Sequence, residues 1–95
     1  MSQRDAYERK LAAQLDELNA EIDRLKARAA KAEADSEIDY QRQIDDLKAR
    51  REQARQKFHE LRDASEDAWE EVRQGAERAW HDLSDAVRSA SKKFR

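Results

Sequence analysis

The C-terminal third of the chain repeats every eleven residues, and this period limits what the chain can fold into. The positions that recur are Phe58, Trp69, Trp80 and Ser91, then Leu61, Val72, Leu83 and Phe94, then Ser65, Ala76 and Val87. Their spacing of 3, 4 and 4 residues averages about 3.67 per turn, so the stripe stays on one face of an α-helix with little supercoiling. The repeat therefore predicts an all-α protein built on a long amphipathic helix.

A second pattern occupies the N-terminal third. Its apolar positions alternate at spacings of 4 and 3 residues, and they are Leu11, Leu15, Leu18, Ile22, Leu25, Ala29, Ala32 and Ser36. This is the heptad pattern of a coiled coil. From Ser36 through Tyr40 to Ile44 come two successive steps of four, a stutter that shifts the phase. We predict one helical unit, 1–95, with a heptad segment at 5–35, a weaker segment at 36–57 and the eleven-residue repeat at 58–95.

Residues that turn a chain are nearly absent, with one Gly and no Pro. Ser36 with Asp39, and Asp63 with Glu66, resemble helix-capping pairs and mark the two candidate bends. Three architectures remain open: an uninterrupted helix in a coiled-coil homo-oligomer, a helical hairpin that dimerises, and a spectrin-like bundle of three helices. Because each added bend lacks a turn residue, the sequence favours the uninterrupted helix, then the hairpin, then the bundle.

The composition predicts a partner helix. Hydrophobic residues make up 38% of the chain and nearly half of them are Ala, so a monomeric core would be thin. Small residues flank the aromatic repeat and would let another backbone approach closely; they are Ala64, Ala68, Gly75, Ala79, Ala86 and Ala90. The predicted interface comprises Leu11, Leu15, Leu18, Ile22, Leu25, Phe58, Leu61, Trp69, Val72, Gly75, Ala76, Ala79, Trp80, Leu83, Val87 and Phe94.

Charge and motif content argue against several function classes. The 20 Lys and Arg nearly balance the 22 Asp and Glu, whereas nucleic-acid binding requires a basic face. His59 with Asp63, and Glu77 with His81, are spaced four apart, but nothing supplies a third metal ligand, and solvated histidines are expected. We predict no catalytic residues, no metal, no cofactor and no small-molecule substrate, and hence no enzyme.

Two further expectations concern location. The first ten residues are charged from Arg4 onward and hold no apolar stretch, so no secretory signal is expected and a cytoplasmic location is predicted. Trp69 and Trp80 on one face are also typical of a helix at a membrane surface. Residues 64–95 carry seven acids and six bases, however, which favours a protein partner over lipid.

Three stretches of the chain carry a resemblance to a known family. They are MSQRDAYERKLAAQLDELNAEIDRLKA, IDYQRQIDDLKARR and ASEDAWEEVRQGAERAWHDLSDAVRSASKKF. Together they resemble a group of small bacterial coiled-coil proteins associated with stress response and first noticed in cyanobacteria, the pairs Ala68-Trp69 and Ala79-Trp80 being the most specific feature. The family implies an induced, cytoplasmic, helical protein, and it supplies no catalytic residues. The repeat is also similar to exchangeable apolipoproteins, although its arginines Arg62, Arg73 and Arg95 flank the stripe on one side only, whereas those proteins have a basic border on both sides.

Three functional hypotheses follow. The first is a self-associating structural or interaction protein whose aromatic and alanine face forms a homo-oligomer. The second is a reversible membrane-surface or lipid-binding protein, and the third is an adaptor for another helical protein.

Overall fold

The computed structural model describes residues 2–94, which form three α-helices and no strands. The helices are α1 (Gln3–Ala30), α2 (Ala34–Asp63) and α3 (Glu66–Lys93). Arg50 of α2 reaches Asp82 of α3 and Arg4 of α1 reaches Glu66 of α3, so α2 runs antiparallel to its two neighbours. The result is an elongated bundle of 51 × 19 × 17 Å. The predicted all-α class is confirmed, and of the three architectures the chain has the one with two bends.

Both bends are made from ordinary residues in extended conformation. Glu33 has ψ 152°, and Ala64 and Ser65 have ψ 143° and 163°. No described residue has a positive φ and no described peptide bond is cis. Because a change of ψ at one or two residues suffices to reverse the chain, the lack of Gly and Pro did not prevent bending. The N-cap positions are Glu33 and Ser65, three and two residues from the predicted Ser36 and Asp63.

The apolar stripes of the three helices meet along the bundle axis. The side chains most completely removed from water are Ile22, Leu25, Ile44, Leu47, Leu61 and Leu83. They belong to two adjoining clusters: a larger one that spans most of the bundle, and a smaller one, of Leu11, Leu61 and Ala76, near the α2–α3 bend. The chain's own helices thus supply the partners that its thin apolar content requires.

The three helix contacts differ in extent. The backbones of α2 and α3 lie close along most of their length, whereas those of α1 and α3 approach each other least. Among the described residues, no helix is both long enough and apolar enough to cross a membrane.

Candidate interaction surface

Fifteen of the sixteen residues of the predicted interface belong to the apolar clusters between the helices of the chain, and Gly75 is the exception. Nine are buried, namely Leu11, Leu15, Ile22, Leu25, Leu61, Ala76, Leu83, Val87 and Phe94. The other seven are half-buried, namely Leu18, Phe58, Trp69, Val72, Gly75, Ala79 and Trp80. The helices that the fifteen residues contact belong to the same chain, and an interface between copies stays a prediction.

The small-residue flank of α3 faces α2 over part of its length. Ala86 and Ala90 line a shallow groove with Gln43 and Leu47 of α2, as expected of residues that let a neighbouring helix approach. Gly75 differs, because a Cβ added there would meet no atom within 4 Å. Within the chain the single glycine is not required by a close backbone contact, and its role at an interface between copies stays a prediction.

An aromatic and charged cluster joins the start of α1 to α3. The Tyr7 hydroxyl donates a hydrogen bond to the Glu77 carboxylate, which also accepts one from Arg73 at 2.6 Å. The Arg73 guanidinium lies 5.5 Å from the centre of the Tyr7 ring, a cation–π distance. Tyr7 meets the Trp69 ring edge to face at 5.7 Å. We call these residues, together with Arg4, the N-terminal cluster.

Arg4 caps the bend between α2 and α3. Its guanidinium donates hydrogen bonds to the carbonyl oxygens of Leu61, Arg62 and Ala64, at 3.3, 3.1 and 2.7 Å. The last carbonyls of a helix have no partners within it and carry partial negative charge, so a cation is a favourable cap. The same guanidinium lies 5.8 Å from the Trp69 ring centre. One side chain of α1 thus holds the end of α2 and the start of α3.

The ionisation of this cluster follows from its contacts. Burial raises the pKa of Tyr7 to about 12, and the hydrogen bond to Glu77 acts in the same direction. Hydrogen bonding to Glu70 raises the pKa of Arg73 above its usual range, and the same contact lowers the pKa of Glu70. At neutral pH the cluster therefore consists of a neutral phenol between an arginine and carboxylates.

Both tryptophans are half-buried, and the indole N–H of each is shielded from solvent without a hydrogen-bond partner among the described residues. Trp69 belongs to the N-terminal cluster, whereas Trp80 packs where the two apolar clusters meet. Arg73, which lies between them in the sequence, is placed over the Tyr7 ring. A buried Trp N–H normally finds a partner, so these two groups are the least satisfied polar groups of α3.

The charged groups outside this cluster lie at the surface. His59 and His81 are exposed, as expected of solvated histidines. In the described part of the chain no three His, Cys, Asp or Glu side chains converge as metal ligands. Arg50 bridges Asp46 of its own helix at 2.9 Å and Asp82 of α3 at 2.7 Å.

An open cleft of about 720 Å³ lies at the other end of the bundle, beside the α1–α2 bend. It is lined by Arg28, Lys31, Ala32, Glu33, Ser36, Tyr40 and Phe94. The Tyr40 and Phe94 rings stack at 4.2 Å on its apolar side. The bend residues therefore border open space and are not wedged between helices.

Sequence reasoning did not single out Arg4 or Tyr7, and it named Glu77 only as a partner of His81. A signal for Tyr7 existed, because it lies four residues before Leu11, about one helical turn from the apolar stripe. Arg4 had none, since its main acceptors are backbone carbonyls about 60 residues away.

These contacts define an all-α three-helix bundle whose distinctive side chains serve helix packing. Comparisons of the chain with protein-family models, with curated proteins and with solved structures find no match.

Proposed function

We propose that this chain is a non-enzymatic structural or interaction protein that self-associates through its helix faces. The observation that supports the proposal is that all the predicted interface residues except Gly75 lie in the apolar clusters between helices, and none of the sixteen is fully exposed. Such a surface packs against another helix with a similar apolar pattern, and a second copy of the chain offers three such helices. When two copies associate, each makes these helix contacts with the other copy, either in place of its own contacts or in addition to them.

The wider role rests on the family resemblance. The resemblance supports a cytoplasmic protein that is produced under stress, and it implies no catalytic residues. The described side chains fit a binding role, because the core is apolar and the charged groups form pairs along the surface, such as Arg50 with Asp46.

The test is the molar mass over a wide concentration range. Sedimentation velocity and light scattering should show a species of twice 11.2 kDa that grows with concentration, while circular dichroism shows helix at every concentration. A mass that stays at 11.2 kDa up to the highest concentration would contradict self-association.

A membrane-surface role is the second candidate, and the tryptophans are the observation that favours it. Trp69 and Trp80 lie half-buried on the most amphipathic of the three helices, with their indole N–H groups unpartnered. Indoles with an apolar body and a free N–H suit the membrane interface.

Tryptophan emission separates the two candidates. We expect blue-shifted emission in buffer that changes little on adding anionic vesicles. The variants Trp69→Phe and Trp80→Phe assign the signal to each ring. A blue shift that appears only with vesicles, together with vesicle co-sedimentation, would favour the lipid role.

A further inference from the structure

The apolar stripe of the sequence continues through the α1–α2 bend at helical spacing. Ala29, Ala32, Ser36 and Tyr40 follow one another at steps of 3, 4 and 4 residues. All four are at least half-buried, although the helix is interrupted between Ala30 and Ala34. If the bend became helical, these side chains would still lie on one face.

This bend is also weakly fixed. Ser2 and Ser65 cap α1 and α3 by accepting hydrogen bonds from the backbone N–H groups of Asp5 and Ala68, but Glu33 makes no such bond at the start of α2. The linking residues Lys31, Ala32 and Glu33 are good helix formers. Neither a side-chain cap nor a proline fixes this bend, which is held by backbone hydrogen bonds from Lys31 and Ala32 to the carbonyls of Arg28 and Ala29.

From these observations we propose that the chain forms a domain-swapped dimer in which the α1–α2 bend straightens. Residues 3–63 become one helix of roughly 90 Å, at about 1.5 Å per residue. The first helix of each copy then packs on α2 and α3 of the other copy. This rests on the proposed self-association and names its partner and its geometry.

The swapped dimer keeps the contacts that the single chain makes. Leu11, Leu15, Ile22 and Leu25 enter the same clusters, but in the partner copy, and Arg4 caps the partner's α2. The only change in backbone structure is at the bend, where the carbonyls of Arg28 and Ala29 exchange turn hydrogen bonds for helical ones and the first N–H groups of α2 gain helical partners. These added hydrogen bonds offset the entropy lost on association, so the dimer should appear at high concentration.

Charge complementarity selects this bend over the other. Arg28 and Lys31 precede it, and Glu33, Asp35 and Glu37 follow it. Two long helices that cross antiparallel at the bend therefore bring the bases of one copy beside the acids of the other.

The α2–α3 bend lacks this complementarity. Glu60, Arg62 and Asp63 lie before it and Glu66 and Asp67 after it, so the same crossing would bring two carboxylates and one base beside two carboxylates. It is also held by Ser65 and by Arg4. Straightening should therefore occur between α1 and α2.

Proline at the first residue of α2 tests the proposal. Ala34→Pro suits the bend, because Glu33 before it is already extended and a first-turn N–H has no helical partner. In a continuous helix the same proline lies in the interior, so we expect dimerisation to weaken by about 100-fold or more. Glu66→Pro is the matched control, since it occupies the first position of α3 and leaves the α1–α2 bend unchanged.

The three proteins should be refolded from urea at about 1 mM, near the effective concentration of a tethered helix, and then measured by light scattering. We expect dimers for the wild type and for Glu66→Pro, and monomers with native helicity for Ala34→Pro. Dimers that survive Ala34→Pro would overturn the swap and leave self-association standing. A wild type that is monomeric throughout would overturn both proposals.

Charge reversal gives a second test that does not depend on proline. Lys31→Glu places like charges across the crossing and should reduce dimer affinity a few-fold. The double variant Lys31→Glu with Glu33→Lys restores opposite charges and should restore affinity. If the double variant were no better than the single one, the antiparallel crossing at this bend would be wrong.

Discussion

Replacing Arg4 with methionine removes the cap on α2 while keeping an unbranched apolar stem of similar length. The shortest bond lost is the one to the Ala64 carbonyl, at 2.7 Å and partly buried. A hydrogen bond to a charged group is worth about 1.5–3 kcal/mol, and partial exposure places this one at the lower end. The contact with the Trp69 ring adds about 0.5–1 kcal/mol. The pair with Glu66, whose side chain is 90% exposed, adds little.

The expected loss is therefore about 2–3 kcal/mol in the free energy of unfolding, or roughly 8–20 °C in melting temperature for a domain of this size. Urea and thermal unfolding followed by circular dichroism, at low protein concentration, measure both. Arg9→Met, on the exposed side of the same helix, is the matched control and should change stability by less than about 0.5 kcal/mol. Arg4→Lys keeps the charge but not the guanidinium fork, and should recover about half of the loss. An Arg4→Met protein as stable as the control would refute the capping role.

Three further predictions concern the core, the phenol and the glycine. Ile22→Ala, at a fully buried position, should cost about 2–5 kcal/mol in urea unfolding, whereas Ile38→Ala, where the side chain is 63% exposed, should cost less than about 0.5 kcal/mol; equal losses would contradict the described core. The pKa of Tyr7 is raised from 10.0 to about 12, so its contribution to stability is present below pH 10 and lost as pH rises toward 12. Over that pH range the free energy of unfolding should fall less for Tyr7→Phe than for the wild type. Equal losses in the two proteins would contradict the raised pKa of Tyr7. Gly75→Ala should stabilise the bundle by about 0.5–1 kcal/mol in thermal unfolding, because the added methyl meets no atom within 4 Å; a lower melting temperature would show that the position is crowded.

Helix faces could be predicted from the sequence, because the side chains that avoid water recur at the period of an α-helix. Leu11, Leu25 and Leu83 were assigned to packing positions on spacing alone, and each is buried. The positions of the bends could be predicted to within three residues, from weak capping patterns near Ser36 and Asp63.

The existence of the bends could not be predicted with the same certainty. The stripe keeps its phase from Leu61 through Ser65 to Trp69, so a straight and a bent chain show the same pattern. Ala64 and Ser65 are compatible with both helix and extended backbone, and the choice depends on contacts made far along the chain. Tertiary packing, rather than local propensity, therefore decides the architecture.

The charged part of the N-terminal cluster was also beyond sequence reasoning. Arg4 recognises backbone oxygens, which every residue carries and no side-chain pattern marks. Gly75 is a different case, because the close approach that its small size suggested does not occur within the chain.

The capping of α2 by Arg4 has a consequence for the order of folding. The α2–α3 hairpin closes through a two-residue link, whereas Arg4 reaches its carbonyl partners across 57 to 60 residues. Short loops close at lower entropic cost, so contacts between helices that are neighbours in the sequence should form before Arg4 reaches the α2–α3 bend. Contacts that form after the transition state influence the unfolding rate and leave the folding rate unchanged. Arg4 therefore acts on the lifetime of the folded bundle, and the speed at which the bundle assembles is set by contacts between residues closer along the chain.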